Sequence, residues 1–418
     1  MFLFCGSYSV HEELTYLTVL HFHSSNMLLT LGLVLFICMD VSGFIISPLN
    51  GSANGNVADQ CIHTKLDTLY VDRCKYETCS MSGVDCWHGG LPNHYLAYHL
   101  HGDTITIDGH LNEHAWQEVP WSESFTDIRG EIHGPPRFNT SFKLRWDNDR
   151  LYVGARLEEN QVWATFTENE NLIYQDNAFE VFADADRSTH NYKELEVNAL
   201  GTTWDLMLSK AYIDGGIKQD WDGDLKVAVY TDGEVNNPAR NATFWSVEMS
   251  ISLQRLINGT AATPPKENDV WSMIFARSEW KLRIQNGTFT KDAASDADWW
   301  SWEVTGAVNL HIPSSWGLVQ FKVTKADKMF TDDRWHVYRV LHDMFHALKI
   351  FKAIYGMYTT DLNDLDLPSY IFTSQCASLP NVTLTQTGGV DDFSVSVTSK
   401  LPHVGRGHIQ GDRYIWFD

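Results

Sequence analysis

From His101 to about Thr324 the chain is a succession of short segments, apolar at alternate positions and separated by turns of Asp, Asn and Gly. Phe142–Trp146 and Leu151–Leu157 flank the turn Asp-Asn-Asp-Arg, which predicts a hairpin. Further strands are expected at Ala178–Ala183, Tyr192–Leu200, Thr203–Leu208, Leu225–Thr231, Phe244–Ile251, Trp271–Trp280 and Gly317–Val323. So many strands, with no strand–helix–strand rhythm between them, predict a mainly β fold, an antiparallel β-sandwich of jelly-roll type over 101–324.

The flanks follow different patterns. Over Asp332–Tyr358 the period changes: Val337, Leu341, Met344, Phe345, Leu348, Phe351 and Tyr355 recur at three- and four-residue steps, predicting an amphipathic helix. Strand signals follow at Val382–Gln386, Phe393–Val397 and Tyr414–Phe417, so 325–418 is expected to be a small α+β appendage. At the other end, Leu28–Met39 is apolar but too short for a bilayer span and suits a signal peptide beginning at Met27 and cleaved before Phe44, which makes 1–43 a leader. Residues 44–100 read as a linker and a cysteine-rich segment, in which Cys61, Cys74, Cys79 and Cys86 are expected to form two disulfides in an oxidising compartment. Their spacing lacks the paired knuckles of a zinc site, and Cys376 is left over. Sequons at Asn50, Asn139, Asn241, Asn258, Asn286 and Asn381 agree with a secreted, glycosylated, extracellular protein.

With 53 acidic against 31 basic residues and a net charge of -22, the chain lacks the cationic footprint that nucleic acid requires, and it repels anionic membranes. Its 16 Trp, 16 Tyr and 21 Phe suit both a sandwich core and the apolar faces of sugar rings.

Five segments, Ile107–Trp121, Leu144–Glu159, Asp176–Asp186, Tyr192–Lys210 and Trp316–Phe321, resemble in order and spacing the motifs of family 9 carbohydrate-binding modules, over about 101–323. The resemblance implies a jelly-roll β-sandwich that binds a glycan or oligosaccharide without catalysis and needs no cofactor beyond a structural calcium ion. It also implies a sugar held between two aromatic rings, with hydroxyls bonded to a Glu and an Asn on neighbouring strands. By position these are Glu180, Asn198 and the aromatic Tyr174. The chain departs from the pattern at Glu196, where the family has an Arg, and at Leu310 and His311, where it has the second ring. Trp299, Trp300 and Trp302 are the alternative platform, and Asp184 and Asp186 the calcium candidates.

Other chemistries leave weaker marks. Glu194 and Glu196 share a strand face, with Glu180 nearby, which suits a two-carboxylate glycoside hydrolase. A sandwich adapted to haem or protein contacts is the third reading, and haem needs an axial His/Met or His/His pair. His342 and His346 lie one helical turn apart without the Glu of a metalloprotease helix, and are expected on the solvated side.

Overall fold

The structure is a computed structural model and describes residues 64–66, 69–71, 90–325, 329–387 and 390–418. The expectations for the leader, for Asn50 and for Cys61, Cys74, Cys79 and Cys86 fall outside these residues. Within 60–418 the chain is one compact unit. Its centre is a thirteen-stranded sheet curled into a sandwich. The strands that matter here are β1 (His94–His99), β2 (Thr140–Trp146), β3 (Arg150–Glu158), β4 (Ala178–Asp184), β5 (Tyr192–Asn198), β6 (Thr203–Leu208), β7 (Lys218–Asp220), β8 (Lys226–Thr231), β9 (Phe244–Ser252), β10 (Val270–Glu279) and β11 (Gly317–Lys322). They run in the order β7-β6-β5-β4-β10-β11-β1-β2-β3-β9-β8, and the short strand Asp298–Ser301 also pairs with β10.

Alternation along the strands fills the interior. Phe179, Val181 and Ala183 of β4 meet Phe142 and Leu144 of β2, Val247 and Met249 of β9 and Phe275 of β10 in one core. The antiparallel sandwich is thus present, and its closure adds a feature. β1 lies before residue 101, in the stretch read as linker, and joins the two halves by running parallel to both β11 and β2. Its partners are far away in sequence, so no local signal marks it as part of the sheet.

The final ninety residues contain the expected helix, α1 (Trp335–Tyr355), ended by Gly356 at φ 76°, a left-handed cap that a Cβ would strain. A four-stranded sheet follows: β12 (Asn381–Thr387), β13 (Val390–Thr398), β14 (Arg406–Gln410) and β15 (Ile415–Phe417). The helix is covered on two sides. Val337, Leu341, Met344 and Leu348 are buried in a second core with Val395, Val397 and Ile409 of the small sheet and Leu318 of β11. Each contributes roughly 1.5–3 kcal/mol relative to exposure. His346 is therefore buried rather than solvated, its Nε2 3.5 Å from Ser314 Oγ, and burial among Arg187 and Arg413 holds His342 down at about 3. Cys376, unassigned from the sequence, is disulfide-bonded, and no other cysteine lies among the described residues. None of the described helices is long and apolar enough to cross a membrane.

A buried ion pair ties the two layers. Arg187, just after β4, donates to Asp332 Oδ2 at 2.6 Å, just before the helix, and its guanidinium lies 3.8 Å from the Tyr338 ring centre. Removing one partner strands the other charge in a dry interface. Asp332→Ala is expected to cost about 3–5 kcal/mol, read as a drop in the denaturation midpoint of the whole 60–418 unit in one transition. Separate melting of the sandwich and the appendage would contradict it.

Candidate functional site

The outward face of β4, β5, β6 and β10 carries a cleft. On β4 the inward residues alternate with Ala178, Glu180, Phe182 and Asp184, which point the other way. Register then fixes the neighbours: Glu180 stands opposite Glu196 of β5 and Ala276 of β10, and Phe182 opposite Glu194 and Ile274. Glu196 in turn faces Trp204, and Glu194 faces Leu206. Three glutamates are thus gathered on one face. Leu172, Tyr174, Trp204, Tyr212, Trp299 and the segment Val308–His311 wall them in, leaving a cleft of about 390 Å³.

The walls are aromatic and rigidly seated. Tyr174 sits on a single 3-10 turn, Ile173–Gln175, whose position is set by its N–H donating to Glu196 Oε2 at 2.7 Å and its carbonyl accepting from Trp280 Nε1 at 3.0 Å. Its ring is 6.4 Å from Trp204 at 29° and 6.3 Å from Trp299 at 37°. His311 bonds Tyr192 Oη at 3.0 Å and packs against Tyr212 at 4.6 Å.

The floor is acidic. Glu180, Glu194 and Glu196 are 2%, 5% and 1% exposed, and no Lys or Arg lines the cleft among the described residues. Burial raises Glu180 and Glu196 well above the ordinary carboxylate range, and repulsion adds to it, from Glu194 on Glu180 and from Glu180 and Glu194 on Glu196. Burial brings Glu194 to about 7, and it shares a hydrogen bond with Glu196. Glu180 Oε1 has no hydrogen-bond partner among the described residues. His311 is held down at about 4 by burial and stays neutral.

The structure separates the residues proposed from sequence. Tyr174, Glu180, Trp299 and His311 line the cleft, together with Glu196 and Leu310, where the family pattern is broken. Asn198, Trp300 and Trp302 do not. Asn198 spends its amide on a turn: it donates to Phe166 O and Asp176 Oδ2 and accepts from the N–H groups of Leu200 and Thr202. Trp300 points opposite to Trp299 by strand alternation and lies 5.2 Å from the buried Arg277 guanidinium. Trp302 is core, against Phe142 and Phe275; a Cβ on Gly317 would sit 2.5 Å from its ring. Trp204, Tyr212 and Glu194 complete the site. The hairpin between β5 and β6 was the available signal for Trp204, since a tight turn after Asn198 places it opposite Glu196.

Asp184 and Asp186 lie near each other, and backbone groups already engage part of their carboxylates. Asp184 Oδ2 accepts from Thr189 N–H, and Asp186 accepts from Ser188 and Ala261 N–H. The described clusters with three ligand groups in reach of one another are Asp103, His114, Glu118 and Asp108, Glu113, Glu248. In the second, Glu248 already accepts from Trp116 Nε1 and from the Asp108 and Gly109 N–H groups.

The buried glutamates make stability depend on pH. A raised folded-state value means that folding retains a proton the unfolded chain would lose, so the stability these glutamates contribute is fullest near pH 4 and falls as pH rises through the raised value. For Glu194 that window runs from the ordinary 4.5 to about 7. Glu194→Gln is expected to be more stable than the parent at pH 8, by on the order of 2–3 kcal/mol, with the difference vanishing near pH 4. Denaturant titrations of both proteins at both pH values check this, and a variant with no greater advantage at pH 8 than at pH 4 would contradict it.

Residues 107–323 match the family model for carbohydrate family 9 binding domain-like proteins. No curated protein matches the chain significantly. Similar solved structures include a family 9 carbohydrate-binding module from Caldicellulosiruptor kristjanssonii in complex with cellotriose, 16% identical, TM-score 0.36, covering 56% of this chain and 97% of that one. A module from the same organism with glucose is 17% identical, TM-score 0.37, over 56% and 98%. A candidate carbohydrate-binding protein from Bacteroides uniformis is 13% identical, TM-score 0.42, over 55% and 100%. Since the family model spans just over half of the 418 residues, the chain belongs to the carbohydrate family 9 binding domain-like family.

Proposed function

We propose that this is a secreted, non-catalytic glycan-binding protein and that sugar lies in the cleft between Tyr174, Trp204 and Trp299. The observation that carries the proposal is the pairing of an aromatic wall with a carboxyl floor on rigid strands, in a chain of this family. Sugar C–H faces are apolar and stack on rings, while hydroxyls need polar groups held at fixed positions. Strands buried on both sides supply that rigidity. A glycan array on the purified protein is expected to return binding. Tyr174→Ala and Trp299→Ala should each weaken the best hit about five- to tenfold, equivalent to about 1 kcal/mol or more, measured below the denaturation midpoint of each variant, which the lost packing lowers. Retention of full affinity by both variants, or an array without hits, would rule out this cleft.

A hydrolytic reading rests on one observation: Glu180 and Glu196 stand directly opposite each other on neighbouring strands, and both are held above the ordinary carboxylate range. The binding proposal expects no new reducing ends when the best-bound glycan is incubated with the protein. Their release by the parent and not by Glu196→Gln would replace it with hydrolysis.

Secretion is supported by the sequons within the described residues, Asn139, Asn241, Asn258, Asn286 and Asn381, all of which are exposed. Protein expressed through a eukaryotic secretory route is expected to lose apparent mass on treatment with an N-glycan-removing amidase. An unchanged mass would count against extracellular processing.

A further inference from the structure

A cleft built for a neutral sugar needs donors as well as acceptors, because each hydroxyl offers both. This one divides them, with the buried Nε1 of Trp204, unpartnered among the described residues, in its lining and carboxyls in its floor. Its deepest polar groups are the carboxyls of Glu180, Glu194 and Glu196, and among the described residues neither Lys nor Arg lines it. Lys218, exposed at the rim, has its ammonium 4.5 Å from the Trp204 ring centre. His311, whose Nε2 is 4.0 Å from Glu194 Oε2, carries no charge near neutrality because burial holds it down at about 4. The remaining titratable groups facing the glutamates are Tyr192 and Tyr212, both neutral, since burial raises them further.

Two independent features point to what would balance this floor. Glu180 is 2% exposed and lines the cleft, yet its Oε1 has no partner among the described residues. A buried acceptor left open in this way costs stability unless something donates to it. Around it stand Tyr174, Trp204, Tyr212 and Trp299, rings whose faces attract cations, and Trp204 already draws the ammonium of Lys218. A protonated amine has three donors and no acceptor, and it would satisfy both features at once.

We propose, resting on the sugar-binding reading above, that the ligand is an amino sugar whose protonated amine enters between the aromatic walls and donates to Glu180 and the adjoining Glu194–Glu196 pair. No bond is made or broken. In the empty cleft burial holds Glu194 up at about 7, so near pH 5.5 it keeps its proton. The arriving ammonium favours its ionised form, so binding releases a proton to solvent. The acidic surface, with its net charge of -22, would also draw such a ligand from a distance.

The test is calorimetric titration of the full purified chain with three trimers of equal length: glucosamine, N-acetylglucosamine and glucose. At about pH 5.5 the amine is fully protonated. The glucosamine trimer is expected to bind at least tenfold more tightly than either neutral trimer. In two buffers of different ionisation enthalpy it should also show proton release, which the neutral trimers should not. Glu180→Gln, which keeps the shape and removes the charge, should bring the preference to within about threefold. If the neutral trimers bind as tightly as the amine, or if amine binding releases no proton, this proposal falls while the sugar-binding reading stands. If none of the trimers binds and a broad array also has no hits, both readings fall. If Glu180→Gln does not fold, the buffer comparison on the unaltered protein decides the matter alone.

Discussion

Everything in this molecule hangs on strands that are buried on both faces. In β4 and β5 every residue is buried, so alternation cannot send polar side chains to water as it does in an ordinary antiparallel sheet. The inner face resolves this with Phe179, Val181, Leu195 and Val197 in a common core. The outer face cannot, because it bears Glu180, Glu194, Glu196 and Asp184, while Lys193 ends the inner row opposite Ala183. Each needs a partner, a proton or a ligand, and what surrounds these strands is arranged accordingly. Lys193 donates to the carbonyl of Asn258 at 2.8 Å, Asp184 accepts from Thr189, and the three glutamates hold their protons to higher pH than an exposed carboxyl does. Burying such groups is unfavourable, and the apolar inner face is what makes it sustainable.

The sandwich was legible from the sequence because its strands alternate with a period of two and its turns are marked. The placement of Glu180 on a strand and of Tyr174 just before it followed from the same pattern. What was not legible depended on partners distant in the chain. Asn198 is pinned by Asp176, itself buried and also bonded to Thr165 and Phe166, and no local signal separates such a clamp from a ligand-binding amide. The three tryptophans 299, 300 and 302 look alike in sequence. Only their pairing with β10 and the close approach of Gly317 decide that Trp299 faces the cleft while the other two face the core. The histidines of α1 were misplaced for a related reason. An amphipathic pattern implies one wet side, but here the histidines on that side meet the sandwich, His346 at Ser314 and His342 beside Arg187, Trp316 and Leu318.

The small sheet of the appendage bears on the site. Arg187 and Thr189 belong to the turn linking β4 to β5, the two strands that carry the glutamates. Arg187 is held by Asp332, Thr189 Oγ1 donates to Arg413 O, and the Arg413 guanidinium reaches Asp214 at 2.7 Å. The appendage thus grips one end of the hairpin whose middle forms the cleft floor. Its contribution to the site is positional, fixing the turn and with it the register at which Glu180 meets Glu196.

The seating of Trp204 and Trp299 has an optical consequence. Among the described residues, Trp116, Trp245, Trp271 and Trp302 are sealed in the core, where neither solvent nor ligand alters their surroundings. These two instead flank carboxyls that change protonation state, beside a cleft open to solvent. Their emission is therefore coupled to the charge of the floor and to whatever lies against their rings. The protein carries its own fluorescent gauge of the site, with the buried indoles as a constant background.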